Sequence, residues 1–188
     1  QATSRTRAKS TYDFMLTAVD AAGNESVGVV ASVKPGTLVT LRGQAYPTIQ
    51  AAVDAAQPGD TVELGVATFL EGVDLKPGVS LHGSGPGHTV LDASGFPAGV
   101  TLEASDASPE SRSTISNMTI RGGAAGVWGG VANVRLENLV IARVNGPGVK
   151  TDGGVLEAAR VTIANCQREG IETGGSGRVV DALILKNG

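Results

Sequence analysis

Trp128, Lys150 and Glu172 are spaced by 22 residues and carry the side chains best suited to chemistry in this sequence. An indole offers a stacking surface for a sugar face, and an amine with a carboxylate beside it can hold hydroxyls or uronic carboxylates. Asp152 follows Lys150 by two residues, on the same side of an extended chain and near Gly153-Gly154, where a turn is expected. Asp152 and Glu172 form a possible acid pair, and glycoside hydrolysis needs two carboxyls about 5–9.5 Å apart. Many acid pairs on a repetitive surface would meet that distance. A solvated face on which Lys150 and Glu172 form an ion pair worth under about 1 kcal/mol accounts for the same residues, with Trp128 packed over a turn.

These residues are positioned by a repeat. Each follows an aliphatic residue (Val127, Val149, Ile171), and each aliphatic follows a glycine (Gly126, Gly148, Gly170). A second aliphatic column, Ile120, Ile141, Ile163 and Ile184, is spaced 21, 22 and 21, with Met118, Leu139, Val161 and Ala182 two residues before it. A short fixed period means that each unit buries its apolar face against the next, so the repeat predicts a solenoid of three to four coils over this half of the chain. If the aliphatic columns point inward, Trp128, Lys150 and Glu172 point outward, spanning about 10 Å over three rungs.

Composition fits this architecture. Of 188 residues, 27 are Gly and 3% are aromatic, while 41% are hydrophobic, a mixture suited to thin strands and tight turns rather than to a helical bundle. Net charge is −3 with no basic stripe, which argues against nucleic acid as a partner. No apolar run approaches the ~18 residues needed to span a bilayer, so no transmembrane segment is expected. The opening QATSRTRAKS lacks an apolar signal core, and the sequence is expected to be an internal segment of something longer. Cys166 is the only cysteine, in the apolar stretch Val161–Cys166, and reads as a small buried hydrophobe.

Other motifs are weaker. Gly83-Ser84-Gly85-Pro86-Gly87 has the glycine content of a phosphate loop, but no Gly-Lys-Ser/Thr follows. His82 and His88 lie six residues apart without a nearby Cys or acid pair, a poor metal site. Asp92, Asp106, Glu137, Asp152 and Glu172 are scattered and lack calcium-loop spacing. Asn24-Glu25-Ser26 and Asn117-Met118-Thr119 match glycosylation sequons, which matter only in a eukaryotic secretory route. Asn133, Asn145, Asn165 and Asn187 are expected near turns, bonding to local backbone.

Upstream, Tyr12, Phe14, Leu16 and Ala18 alternate with other residues as in a half-buried strand, and Gly23-Asn24 suits a hairpin turn before Val27–Val33. Residues 11–33 resemble the last two strands of a fibronectin type III domain, in Tyr-x-Phe, Ala18-Val19-Asp20 and Gly23-Asn24-Glu25-Ser26. Lys34-Pro35-Gly36 marks the boundary. Residues 1–33 are thus a polar start plus a partial fibronectin-like hairpin, 34–45 a lead-in, and 46–188 the solenoid. Within it, residues 48–56 read as a short helix with Ile49, Ala52, Val53 and Ala56 on one face, stopped by Pro58-Gly59. Thr61–Leu64, Val73–Leu75 and Val79–Leu81 read as strands.

The strings Tyr46-Pro47-Thr48-Ile49-Gln50-Ala51-Ala52-Val53-Asp54-Ala55-Ala56, Pro58-Gly59-Asp60-Thr61-Val62 and Leu75-Lys76-Pro77-Gly78-Val79-Ser80-Leu81-His82-Gly83 resemble the start of a right-handed parallel β-helix of the pectate-lyase-like superfamily. Leu64-Gly65-Val66-Ala67-Thr68-Phe69 departs from that pattern. The resemblance, over about residues 40–188, implies an all-β, single-stranded solenoid with an N-terminal capping helix. It also implies secretion or bacterial cell-surface location, a polysaccharide or cell-surface glycan partner, and in the full-length protein calcium held by clustered acids beside a basic catalytic residue. No such cluster stands in residues 113–188, and no cofactor is identified there.

Two functions follow as expectations. One is a polysaccharide lyase or glycoside hydrolase whose catalytic coils lie beyond Gly188, this segment being inactive and cut off within a coil. The other is a non-catalytic adhesin or stalk, favoured by the low aromatic content. In both, Trp128, Lys150, Asp152 and Glu172 are the candidate substrate-binding residues.

Overall fold

Short aliphatic strands broken by Gly, Asn and Pro stack into a parallel β-helix of about six turns in the computed structural model, which describes residues 12–16, 29–33, 38–105 and 108–188. The chain divides into two units, Gln1–Gly36 and Thr37–Gly188. In the first, β1 (Tyr12–Leu16) pairs antiparallel with β2 (Val29–Val33), Tyr12 opposite Val33 and Leu16 opposite Val29. The polar start, Ala18, the Gly23-Asn24 turn, the Asn24 sequon and Lys34-Pro35-Gly36 lie outside the described residues, as does Asp106.

The second unit opens with β3 (Val39–Leu41), antiparallel to both β4 (Gln44–Ala45) and β5 (Thr61–Leu64). Every later pairing is parallel, coil upon coil. The coils present three faces. The first stacks Val62, Leu81, Ile115, Leu136, Ala158 and Val179. The second stacks Phe69, Leu91, Ile120, Ile141, Ile163 and Ile184. The third stacks Val73, Val100, Val127, Val149 and Ile171. Ile120, Ile141, Ile163, Val127 and Val149 are completely buried, each worth about 1.5–3 kcal/mol of apolar burial. Ile184 continues the ladder in register with Ile163 and is 46% exposed.

The glycines ahead of the third column have a steric cause. A Cβ on Gly126 would sit 2.6 Å from Ile141 Cγ2 and 2.4 Å from Gly148 O. Gly99, Gly148 and Gly170 meet Ile120, Ile163 and Ile184 in the same way, at 2.4–2.5 Å. Each glycine is therefore the socket for the branched methyl of the isoleucine one coil further on.

Corners are made by left-handed residues rather than by loops. Asn117, Asn138, Arg160 and Asp181, with φ between 51° and 55°, turn the chain from the first face to the second. Gly122, Arg143, Asn165 and Lys186 repeat this at the next corner. Asn tolerates this region because its short polar side chain bonds locally, whereas Arg enters it only where the coil dictates. Strands therefore run on through the corners at Asn117, Asn138 and Arg160, as β11 (Ser113–Arg121), β12 (Ala125–Ala142) and β13 (Val149–Ala164), and end just before the next corner at Gly122, Arg143 and Asn165. The expected turn at Gly153-Gly154 is such a bend inside β13, with Gly154 at φ 87°.

The helix α1 (Ile49–Ala55) is one residue shorter at each end than expected and buries Ile49, Ala52 and Val53. Helix ends leave amide and carbonyl groups unpaired, and the coils supply partners. Thr48 Oγ1 accepts from Ala51 N (3.1 Å), and the Glu71 carboxylate accepts from Ile49 N (3.1 Å) and Gln50 N (3.2 Å). Lys76 Nζ donates to the carbonyls of Asp54 (2.9 Å) and Ala56 (2.7 Å). The Gln50 amide both accepts from Asp74 N (2.8 Å) and donates to Asp74 O (3.3 Å), standing in for a missing strand beside β7 (Val73–Leu75). The divergent stretch after Leu64 forms β6 (Ala67–Phe69), which pairs with β9 (Thr89–Asp92), and the strand expected at Val79–Leu81 is β8 (Ser80–His82). No helix among the described residues is long and apolar enough to cross a membrane.

Candidate functional site

The third face brings Trp128, Lys150 and Glu172 into one register, continued toward α1 by Thr101 and Asp74. Val127 and Val149 before them, and Gly129 and Thr151 after, are buried, so alternation along the strand directs this column outward. Trp128 is 43% exposed. Asp152 lies two residues past Lys150, exposed on the same side, with buried Thr151 between them. Thr151 Oγ1 donates inward to Thr173 Oγ1 (2.9 Å), tying the two coils beneath the column.

Lys150 Nζ donates to Glu172 Oε1 at 2.7 Å. The hydrogen bond and charge of Glu172 raise the Lys150 pKa, with a further contribution from Asp152. Reciprocally, the hydrogen bond from Lys150 lowers the Glu172 pKa, helped by its charge and by Arg168. These directions decide what the column can do. A lysine acts as general base only with a lowered pKa, and a carboxyl acts as general acid near neutral pH only with a raised one. Lys150 and Glu172 are shifted the opposite way, which suits an ion pair rather than a lysine base or a carboxylic acid.

A recess of about 380 Å³ opens beside the column, bounded by Trp128, Lys150 and Arg168 over Pro97, Pro147 and Ala125. A smaller one of about 160 Å³ lies between Phe96, Asp74 and Thr101, and Pro97 lines both. Phe96 is 41% exposed, giving a second aromatic surface next to the first. The larger recess thus carries a ring at Trp128 and cations at Lys150 and Arg168, and the smaller one a ring at Phe96 and an acid at Asp74. Phe96 and Arg168 fall outside the repeated columns, one in the turn after β9 and the other in the turn before β14 (Ile171–Thr173). Periodicity therefore gave no signal for either.

Other candidates settle into structural roles. His82 Nδ1 lies 3.0 Å from Ser116 Oγ, and Asn117 Nδ2 lies 3.3 Å from His82 Nε2. Asn117 of the second sequon stands at a corner, its Oδ1 accepting from Asn138 Nδ2 (2.6 Å). Two of these asparagines bond between coils rather than locally as expected: Asn187 Oδ1 accepts from Cys166 N (3.0 Å) while its Nδ2 donates to Ile163 O (3.2 Å), and Asn133, buried within β12, donates to Ser108 O (2.9 Å). Cys166 is buried, and desolvation raises its thiol pKa. Among the described residues, no group of three or more His, Cys, Asp or Glu side chains could hold a metal ion, so they do not fit the calcium site that the resemblance implies. No protein-family model and no curated protein matches the chain.

Proposed function

We propose that the third face of this β-helix binds polysaccharide, as part of a secreted or cell-surface modular protein of the pectate-lyase-like kind with fibronectin type III-like strands ahead of it. The observation that carries this reading is the sharing of one open groove by Trp128, Lys150 and Arg168. The indole stacks on a sugar face while the two cations and the Glu172 carboxylate bond to hydroxyl or acidic groups. Asp152 extends the polar edge of the same column. In this proposal Lys150 and Glu172 bind the sugar as a hydrogen-bonded charged pair. Lyase or hydrolase chemistry would belong to other coils of a longer chain.

Trp128 is the only tryptophan, so its emission reports on this site alone. Titration with neutral and uronic-acid polysaccharides should shift that emission saturably, and Trp128→Ala should weaken retention in affinity electrophoresis by about tenfold or more, in line with a lost stacking contact. An unchanged emission together with equal retention of wild type and Trp128→Ala would remove this face as the binding surface.

A further inference from the structure

We propose that the first face carries a second site, a recess of about 220 Å³ beside Arg178 that takes a tetrahedral oxyanion such as a sulfate or phosphate group. It lies on different columns from the Trp128 groove and does not rest on the polysaccharide reading.

Two outward columns build it. One stacks Thr114, Arg135, Glu157 and Arg178, and the other Ser116, Glu137, Ala159 and Val180. Around Arg135 the charges are matched. Glu137 Oε2 accepts from Arg135 Nε (3.0 Å), and its other oxygen pairs with Arg160. Glu157 Oε2 lies 3.3 Å from Arg112 Nη1 and 3.7 Å from Arg135 Nη1. Both glutamates are thus shared between two arginines. The coil of Arg178 lacks this compensation, because the residue two positions on is Val180 where Arg135 has Glu137, and the coil between them has Ala159. Arg178 has no ion pair or hydrogen-bond partner among the described residues.

Asp181 also lines the recess. With it counted, the three guanidiniums that line the recess, Arg135, Arg160 and Arg178, face the two carboxylates of Glu157 and Asp181, leaving one positive charge in excess. The short Ala159 side chain leaves the floor open. Arg160 reaches the recess from a corner and Arg178 from a strand. A planar carboxylate is satisfied by a single guanidinium fork, whereas a tetrahedral oxyanion presents acceptors in more than one plane and suits donors on two sides.

The test is calorimetric titration of the full chain with inorganic sulfate, inorganic phosphate, a sulfated oligosaccharide and its desulfated counterpart, at constant low ionic strength. Saturable binding is expected, with Arg178→Gln weakening it about tenfold and Asp181→Asn tightening it about two- to threefold, as expected for losing a guanidinium contact and a like charge. Val180→Glu should also abolish binding, by giving Arg178 the partner that Glu137 gives Arg135; it keeps the test decisive if Arg178→Gln fails to fold. Trp128→Ala should leave anion affinity unchanged, which separates this site from the third face. Tighter binding of the sulfated sugar than of inorganic sulfate assigns the group to a glycan ester, and equal binding assigns it to the free anion. Non-saturable heats, or equal affinities for wild type and Val180→Glu, overturn the proposal.

Discussion

The coils from Ser113 onward and the coils before them are held together by different means. From Ser113 each coil returns within 21–22 residues and locks to its neighbour by a glycine–isoleucine joint and a left-handed corner. Between Val39 and Leu102 the spacing is irregular, and much of the work falls to polar side chains that reach between elements. Glu71, Lys76 and Gln50 bond to the ends and flank of α1, while Arg42 pairs with Asp60, whose carboxylate also accepts from Gln57 N (2.7 Å). The difference bears on function. In the capped part Asp60, Glu71, Lys76 and Asp92 bond to backbone groups, whereas the regular part closes with apolar contacts and presents Trp128, Lys150 and Arg178 on its outward columns.

The sharpest way to break this contrast is to fill a socket. Gly126→Val would drive a side chain into Gly148 O and Ile141 Cγ2, and should cost more than about 4 kcal/mol, enough to abolish cooperative unfolding by circular dichroism. Gly130→Ala, with nothing within 4 Å of its would-be Cβ, is the matched control and should be nearly neutral. Removing the plug instead of filling the socket is milder. Ile141→Ala should lose about 2–5 kcal/mol in urea unfolding.

In the capped part the expected losses are smaller because each bond is partly exposed. Thr48→Ala should cost about 1 kcal/mol as a lost N-cap, and Glu71→Gln a similar amount, since a neutral amide accepts less strongly from Ile49 N and Gln50 N. If these two exceeded Ile141→Ala, the capped part and not the ladder would dominate stability. Arg143→Asn should act in the other direction. Arg143 is exposed at φ 57° without an ion-pair partner among the described residues, so asparagine should gain about 0.5–1 kcal/mol.

The smallest effect should come from pH. Glu172 has a lowered pKa in the folded chain, so the link to Lys150 is fully present above the ordinary glutamate range and is lost as pH falls through that lowered value. Trp128 emission and the Lys150 ammonium resonance should change together in that acid window and stay flat at neutral pH. A transition near neutral pH would mean that another group controls the column.

The two parts also differed in how far they could be read from residues alone. The isoleucine and valine columns, α1 and the outward direction of Trp128, Lys150 and Glu172 follow from spacing, because a stacked coil makes periodicity and position the same thing. Phe96 and Arg168 did not follow, since they stand in turns where length varies between coils. The left-handed Arg143 and Arg160 were hidden because arginine carries no local preference for that backbone; the neighbouring coils impose it. The ion-pair lattice of Arg135, Glu137 and Glu157 was visible as residues but not as a lattice, because it depends on lateral contacts among three coils.

The glycine–isoleucine joint has a consequence for how such a chain can change length. Each glycine is fitted to the isoleucine of the next coil, so the contact is indifferent to which coil it is and intolerant of where in the coil it falls. Duplication or loss of a whole 21- or 22-residue turn presents the same socket to the same plug. Insertion of one or two residues within a strand presents a side chain to a site that accepts none. Growth by whole turns is thus sterically permitted, while small insertions are confined to stretches such as the one between Gly83 and Thr89, where the chain has left the joint.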